Sequence, residues 1–216
     1  MALQPAARLC LKQALPHLAV VVAMIRALIS SEETLSPGLR RRIVALLRPA
    51  EALARRLLIL LAKQPAIRAA RQGRPLPDWS CLPKPGRKAA PSFRLSEPLV
   101  TFAVLLQRQK AKGPNLLHWH RPAPNTFVKT DQQDRLLKRL AALEAVSSNP
   151  QRAARRMARW LVRHARQPGR TSPLRIGYPP GLSDRPPDAR LDCLLRDAQM
   201  FARSALDPPP GETACP

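Results

Sequence analysis

Apolar residues in the first third of the chain recur at three and four positions, the period of a helix with one buried face. Leu18, Val21, Val22, Ile25, Leu28 and Ile29 form the first such stripe. Pro16 fits either a first-turn position or a kink within a longer N-terminal helix. The polar run Ser30 to Thr34 breaks the stripe, and Ser36-Pro37 then predicts an N-cap followed by proline at the first helical position, where its missing N–H costs nothing. From there Leu39, Ile43, Leu46, Leu47, Ala50, Leu53, Ala54, Leu57, Leu58 and Leu61 stay in phase across Pro49. A kink is expected at Pro49 rather than an end. The connection of about six residues predicts that the two helices pack antiparallel.

Periodicity is lost from residue 74 to 130, where nine prolines fall. One apolar run, Leu99 to Leu106, suits a short helix or strand, and the rest reads as a basic, poorly ordered linker. At Thr130 the helical pattern returns. Thr130 and Gln133 have the spacing of a capping box, and Leu136, Leu137, Leu140 and Leu143 follow on one face. Asn149-Pro150 separates this helix from the next, giving an αα-hairpin over roughly 131–146 and 150–166. After a Pro/Gly-rich loop, a last amphipathic helix runs from about Asp188 to Leu206, burying Leu191, Leu194, Leu195, Ala198, Phe201, Ala202 and Ala205. Pro208-Pro209-Pro210 ends it.

The expected fold is therefore mainly α. An N-terminal helical pair (1–73) and a C-terminal αα-hairpin plus final helix (131–207) are joined by a long Pro-rich, low-order segment (74–130), with a disordered tail at 208–216. Composition agrees: of 216 residues 45% are hydrophobic, mostly Ala and Leu, and only eight are aromatic, which excludes an all-β fold. The pattern leaves open whether the two helical units touch.

Charge adds a second layer. The formal net charge is +23, from 29 Arg and 8 Lys against 14 acids, and 25 prolines accompany it. Either a function that selects guanidinium groups or a GC-rich genome produces that Arg excess. Residues 188–216 reverse the sign, with three Arg against five acids, so the last helix is a candidate for neutralising basic surface within the molecule. The longest run without Lys, Arg, Asp or Glu is Gln13 to Ile25, 13 residues, whereas a bilayer span needs about 20, so no transmembrane span is expected. No small-x-small cleavage site follows that run. Cys10, Cys81, Cys193 and Cys215 form no C-x-x-C pair, and a reducing cytoplasm is the expected location.

One constellation carries chemistry. On the helix after Asn149, Arg152, Arg155, Arg156, Arg159, Arg163 and Arg166 fall within a single arc of about 100°. No acid shares this helix, and Ala153, Ala154, Met157, Trp160, Leu161, His164 and Ala165 occupy the other side. Solvated helix faces ordinarily mix signs, because like charges at i,i+4 repel. A row of guanidinium groups invites an anion: an acidic protein surface, a nucleic-acid backbone, or an anionic membrane. A plain solvated face in an Arg-rich proteome is the competing reading. Sequence-specific base reading is disfavoured, since no amide or hydroxyl side chain interrupts the row on its own face, and no aromatic is interleaved with it as a stacking platform.

Other candidates are weaker. His118-Trp119-His120 would place both imidazoles on one side of an extended segment, yet a third metal ligand is missing nearby. His17 and His164 read as structural histidines. Asp188 and Asp192 sit in the first turns of the last helix, where carboxylates favour the helix dipole, and Arg196 is placed to pair with Asp192. No Gly-rich phosphate loop, G-x-S-x-G elbow or H-E-x-x-H motif occurs, so neither an enzyme nor a cofactor is expected.

Within Leu136–Gly181, the stretches Leu-Ala-Ala-Leu-Glu (140–144), Asn-Pro-Gln-Arg-Ala-Ala-Arg-Arg-Met-Ala-Arg-Trp-Leu (149–161) and Pro-Leu-Arg-Ile-Gly-Tyr-Pro-Pro-Gly (173–181) resemble uncharacterised hypothetical proteins of alphaproteobacteria. The resemblance covers about a fifth of the chain and rests on Arg-rich helix and Pro-Gly loop composition. It implies a bacterial cytoplasmic protein with no assigned activity, and no functional residue carries over from it. The expectation is a non-enzymatic basic helical protein that binds an acidic protein surface through the Arg row, with nonspecific nucleic-acid backbone binding and peripheral association with anionic membrane as alternatives.

Overall fold

A computed structural model describes residues 3–30, 35–64, 67, 92–97, 127–166, 173–174, 179–181 and 186–206. Among them are five helices and no strand: α1 (Pro5–Ser30), α2 (Pro37–Ala62), α3 (Phe127–Ser148), α4 (Pro150–Arg166) and α5 (Ala189–Leu206). The mainly α architecture is as expected. The run Leu99–Leu106, the pair His118 and His120, and the tail 208–216 lie outside the described residues.

α1 runs through Pro16 without a break and buries Leu18, Val21, Val22 and Ile25, while Leu28 and Ile29 are half-buried. α2 starts as its sequence requires. Ser36 is extended, its Oγ accepts a hydrogen bond from the Leu39 N–H at 3.3 Å, and Pro37 opens the first turn. The helix continues through Pro49, which is itself buried. α3 starts at Phe127, three residues before the Thr130 capping box. Leu136, Leu140 and Leu143 face the core as expected, together with Ala142 and Val146, but Leu137 is exposed. In α5 the Asp188 carboxylate caps the first turn, accepting from the Leu191 N–H at 3.0 Å. Asp192 and Arg196 pair at 3.0 Å, as their spacing suggested.

α2 is the centre of the molecule. It packs against each of the other four helices, and α1 also touches α3 and α5. The N-terminal and C-terminal helices therefore share one core, in which Leu47, Leu53, Leu143, Met157 and Leu195 belong to a single buried cluster. From Ala52 to Ala62 every residue of α2 is buried, so its second half has no solvent face. Each fully buried Leu or Ile there contributes about 1.5–3 kcal/mol, an upper estimate given a compact unfolded state. α4 and α5 both lie on α2 without contacting each other.

Burial on all sides forces two arginines inside. Arg55 and Arg56 are 5% and 0% exposed. Arg56 donates from Nη1 to Glu97 Oε1 (2.7 Å) and to the Ala52 carbonyl (2.6 Å), and from Nε to Gln199 Oε1 (2.5 Å). Its Nη2 is buried without a hydrogen-bond partner among the described residues. Arg55 donates from Nε to the Arg94 carbonyl (3.0 Å), stands 5.3 Å from the Phe93 ring centre, and lies 3.6 Å from Glu51. Glu51 in turn accepts a bidentate pair from Arg139 at 2.8 and 3.0 Å, which ties α3 to α2. Burial pulls the pKa of both buried guanidinium groups down, opposed chiefly by Glu51 at Arg55 and by Glu97 at Arg56. Both stay charged, because arginine does not lose its proton in proteins.

α1 has the length and apolarity to cross a bilayer, with a mean hydropathy of 1.6 over an 18-residue window, of which 28% is buried. Counting only charge-free runs misses this, because a window tolerant of one or two charges is longer. One face of α1 carries the buried residues named above, and Leu9, Val20 and Met24 are exposed.

Candidate functional site

The Arg row sits on α4, and the local reasons are those of its sequence. The Asn149 side chain accepts from the Arg152 N–H at 3.0 Å, fixing the start of the helix, and Pro150 occupies its first position. Ala154 and Met157 are fully buried, with Ala153, Trp160 and Leu161 half-buried beside them. That anchors one side of the helix on the core and turns the other outward. Arg152, Arg155, Arg156, Arg159 and Arg163 are all exposed. Arg166 is the last residue of α4, and its side chain, like that of His164, lies outside the described set.

None of the five exposed arginines is paired with an acid among the described residues. Five acids are committed elsewhere, while Asp134 and Asp197, both exposed, make no ion pair among the described residues. Glu51 and Glu97 serve the buried arginines of α2, Glu144 pairs with Arg26 of α1 at 3.2 Å, and Asp192 pairs within α5. The Asp188 carboxylate accepts a hydrogen bond from His17 Nε2 at 3.0 Å, so His17 finds its partner 171 residues away. Among the described residues no acid of α5 pairs with an arginine of α4. Neutralisation of the row by the last helix is thus not what the described residues do.

A second wall faces this row. Residues 92–97 alternate: Phe93, Leu95 and Glu97 are buried, whereas Ser92 and Arg94 are exposed and Ser96 is half-buried. Period-two alternation of this kind turns one set of side chains to the core and the other to solvent. The segment is held down by the two buried arginines, Arg55 on the Arg94 carbonyl and the Phe93 ring, and Arg56 on Glu97. Between this strap and α4 lies a cavity of about 480 Å³. Ser92, Arg94, Leu95 and Ser96 line it from the strap, and Arg156, Arg159, Trp160 and Arg163 from the helix. Among the described residues no acid lines it.

Sequence periodicity did not find Arg94. The alternation Ser-Phe-Arg-Leu-Ser-Glu was the available signal, but it gains meaning only once Arg55 and Arg56 are known to be buried, since they hold the strap in place. Trp160 was assigned to the apolar side of α4, and it also borders the cavity. Among the described residues no group of three or more His, Cys, Asp or Glu is placed to hold a metal. Cys10 is buried and Cys193 exposed, both as free thiols.

No family model, curated protein or solved structure matches the chain.

Proposed function

We propose that the protein is a non-enzymatic interaction module that binds an anionic protein surface through the arginine face of α4, Arg152, Arg155, Arg156, Arg159, Arg163 and Arg166. The observation that carries this reading is the row of five exposed guanidinium groups that make no ion pair among the described residues, on a helix with no acid of its own. Like charges at i,i+4 repel by a few tenths of a kcal/mol each, and a bound anionic surface relieves that cost. Arginine suits the task, because its planar fork meets carboxylates two bonds at a time.

The test is retention of the full chain on immobilised poly-glutamate and on duplex DNA across a salt gradient. Arg152 and Arg155 are replaced together by Glu, and Arg41 with Arg42, exposed on α2, serve as the control pair of equal charge change. The proposal expects R152E/R155E to elute from poly-glutamate at clearly lower salt than R41E/R42E. Equal shifts for the two pairs would show that net charge alone governs retention and would overturn it. A steeper salt dependence on DNA than on poly-glutamate, lost in R152E/R155E, would favour a nucleic-acid backbone instead.

A further inference from the structure

Two walls of unlike origin meet at the cavity between the strap and α4. Arg156, Arg159 and Arg163 come from one helical face at i, i+3 and i+7, and Arg94 comes from the opposite wall, flanked by Ser92 and Ser96. Among the described residues, four guanidinium groups therefore border about 480 Å³, with two hydroxyls as further donors and no carboxylate in the lining. That volume is within the range of about 300–1,000 Å³ typical of small-molecule sites. It is a concave site, unlike the ridge formed by Arg152 and Arg155, which line no part of it.

The charge density selects the ligand. A polycarboxylate carries one unit of charge per carboxylate and spreads four of them over a carbon skeleton. Linked phosphoryl groups bring comparable charge in a smaller volume, since a phosphate monoester carries about −1.5 to −2 and three strong acceptor oxygens. Arginine forks fit phosphate oxygens bidentately, and the Ser92 and Ser96 hydroxyls can donate to oxygens that the arginines leave free. Trp160 adds an aromatic surface at the border, suited to the ring of a nucleoside. A duplex presents its phosphates on a convex cylinder, which meets the ridge rather than the cavity.

We infer that the cavity between residues 92–96 and α4 is a binding site for a small polyphosphate compound of the nucleoside di- or triphosphate class, gripped between Arg94 and the arginines at 156, 159 and 163. This ligand is distinct from the protein surface proposed above; the two sites share Arg156, Arg159 and Arg163, but Arg152 and Arg155 belong to the protein-binding face alone and Arg94 to the cavity alone, so R152E/R155E and R94E tell the two readings apart. Arg94 is the diagnostic residue. Its backbone carbonyl, not its side chain, anchors the strap to Arg55, so Arg94→Glu changes the cavity without releasing the wall.

The experiment is calorimetric titration of the full chain with ATP and with tripolyphosphate at about 0.15 M salt, where diffuse surface attraction is largely screened. Arg94→Glu is compared with Arg190→Glu, an exposed residue at the start of α5 that makes the same charge change away from the cavity. Saturable one-to-one binding is expected, weakened about tenfold or more by R94E and left within about twofold by R190E. Equal weakening by the two variants would reduce the effect to net charge and overturn the site. So would the absence of saturable binding of either polyphosphate, or binding confined to duplex DNA or anionic vesicles. Unfolding curves of R94E that superimpose on those of the parent chain confirm that the strap is still in place.

Discussion

Gly181 lies so close to Pro49 that a β-carbon at position 181 would stand 2.5 Å from the Pro49 nitrogen and 2.8 Å from its Cα. Pro49 is the buried proline inside α2, so Gly181 is pressed against the central helix at the interior turn that lacks an N–H donor. Gly181 also has φ +98°, in the region that favours glycine. Both the space and the backbone conformation demand the missing side chain.

Gly181→Ala is expected to destabilise the protein by about 2 kcal/mol or more, from left-handed strain of about 1–3 kcal/mol plus a clash with backbone that cannot move aside cheaply. Urea unfolding measures this. A loss below about 0.5 kcal/mol, the range of neutral surface changes, would mean that the contact is not maintained in solution.

The Arg56–Glu97 pair is the most deeply buried ionic contact described, with both side chains at 0% exposure. Glu97→Leu leaves the Arg56 charge without its carboxylate and is expected to cost about 3–5 kcal/mol. Arg56→Met combined with Glu97→Leu removes both charges and should be distinctly less damaging than the single change, since the cost lies in the stranded charge. Denaturant melts of the three proteins decide it. A double variant at least as unstable as E97L would indicate that the hydrogen bonds to Gln199 and Ala52 outweigh desolvation. Because Glu97 holds the end of the strap, the single variant should also weaken polyphosphate binding.

Burial, then the Asp197 carboxylate, push the Cys10 thiol up from its ordinary 9.0 to about 11. The unfolded chain releases this proton above about pH 9 while the folded chain keeps it to about 11, so ionisation favours unfolding in that window. The contribution of Cys10 is complete below pH 9 and is lost as pH rises toward 11. The stability difference between the parent and Cys10→Ala should therefore hold steady at neutral pH and shrink, or change sign, by pH 10.5. A difference that stays constant across that range would contradict the assignment. At pH 8 the exposed Cys193 should alkylate well before Cys10.

How much of this was legible follows the reach of each signal. The stripes at Leu18–Ile25 and Ile43–Leu61, and the caps at Ser36 and Asn149, are properties of one turn or one face, and they reappear in the structure. The α4 arginines were legible for the same reason: their arc follows from helical geometry alone. Arg55 and Arg56 were not. In a stripe with a polar gap they look like the solvent side of an amphipathic helix, and only a helix enclosed by four others buries that side too. Leu137 failed in the opposite direction, because a position next to an apolar stripe faces the core only if a neighbour lies there.

The sequence by itself determined the mainly α class, the starts of α2 and α4, and the segregation of arginine from apolar residues on α4, because each depends on spacing within a few turns. Tertiary structure decided which arginines are enclosed and which stay open to an anion. Glu97 reaches Arg56 across 41 residues, Gln199 reaches it across 143, and Asp188 meets His17 across 171. The pairings of Glu97 and Asp188 withdraw two carboxylates from the surface, and that of Glu97 clamps the strap opposite α4. Helical periodicity reaches only as far as the next turn, so neither the unpaired row nor its facing wall could be read before the helices were packed.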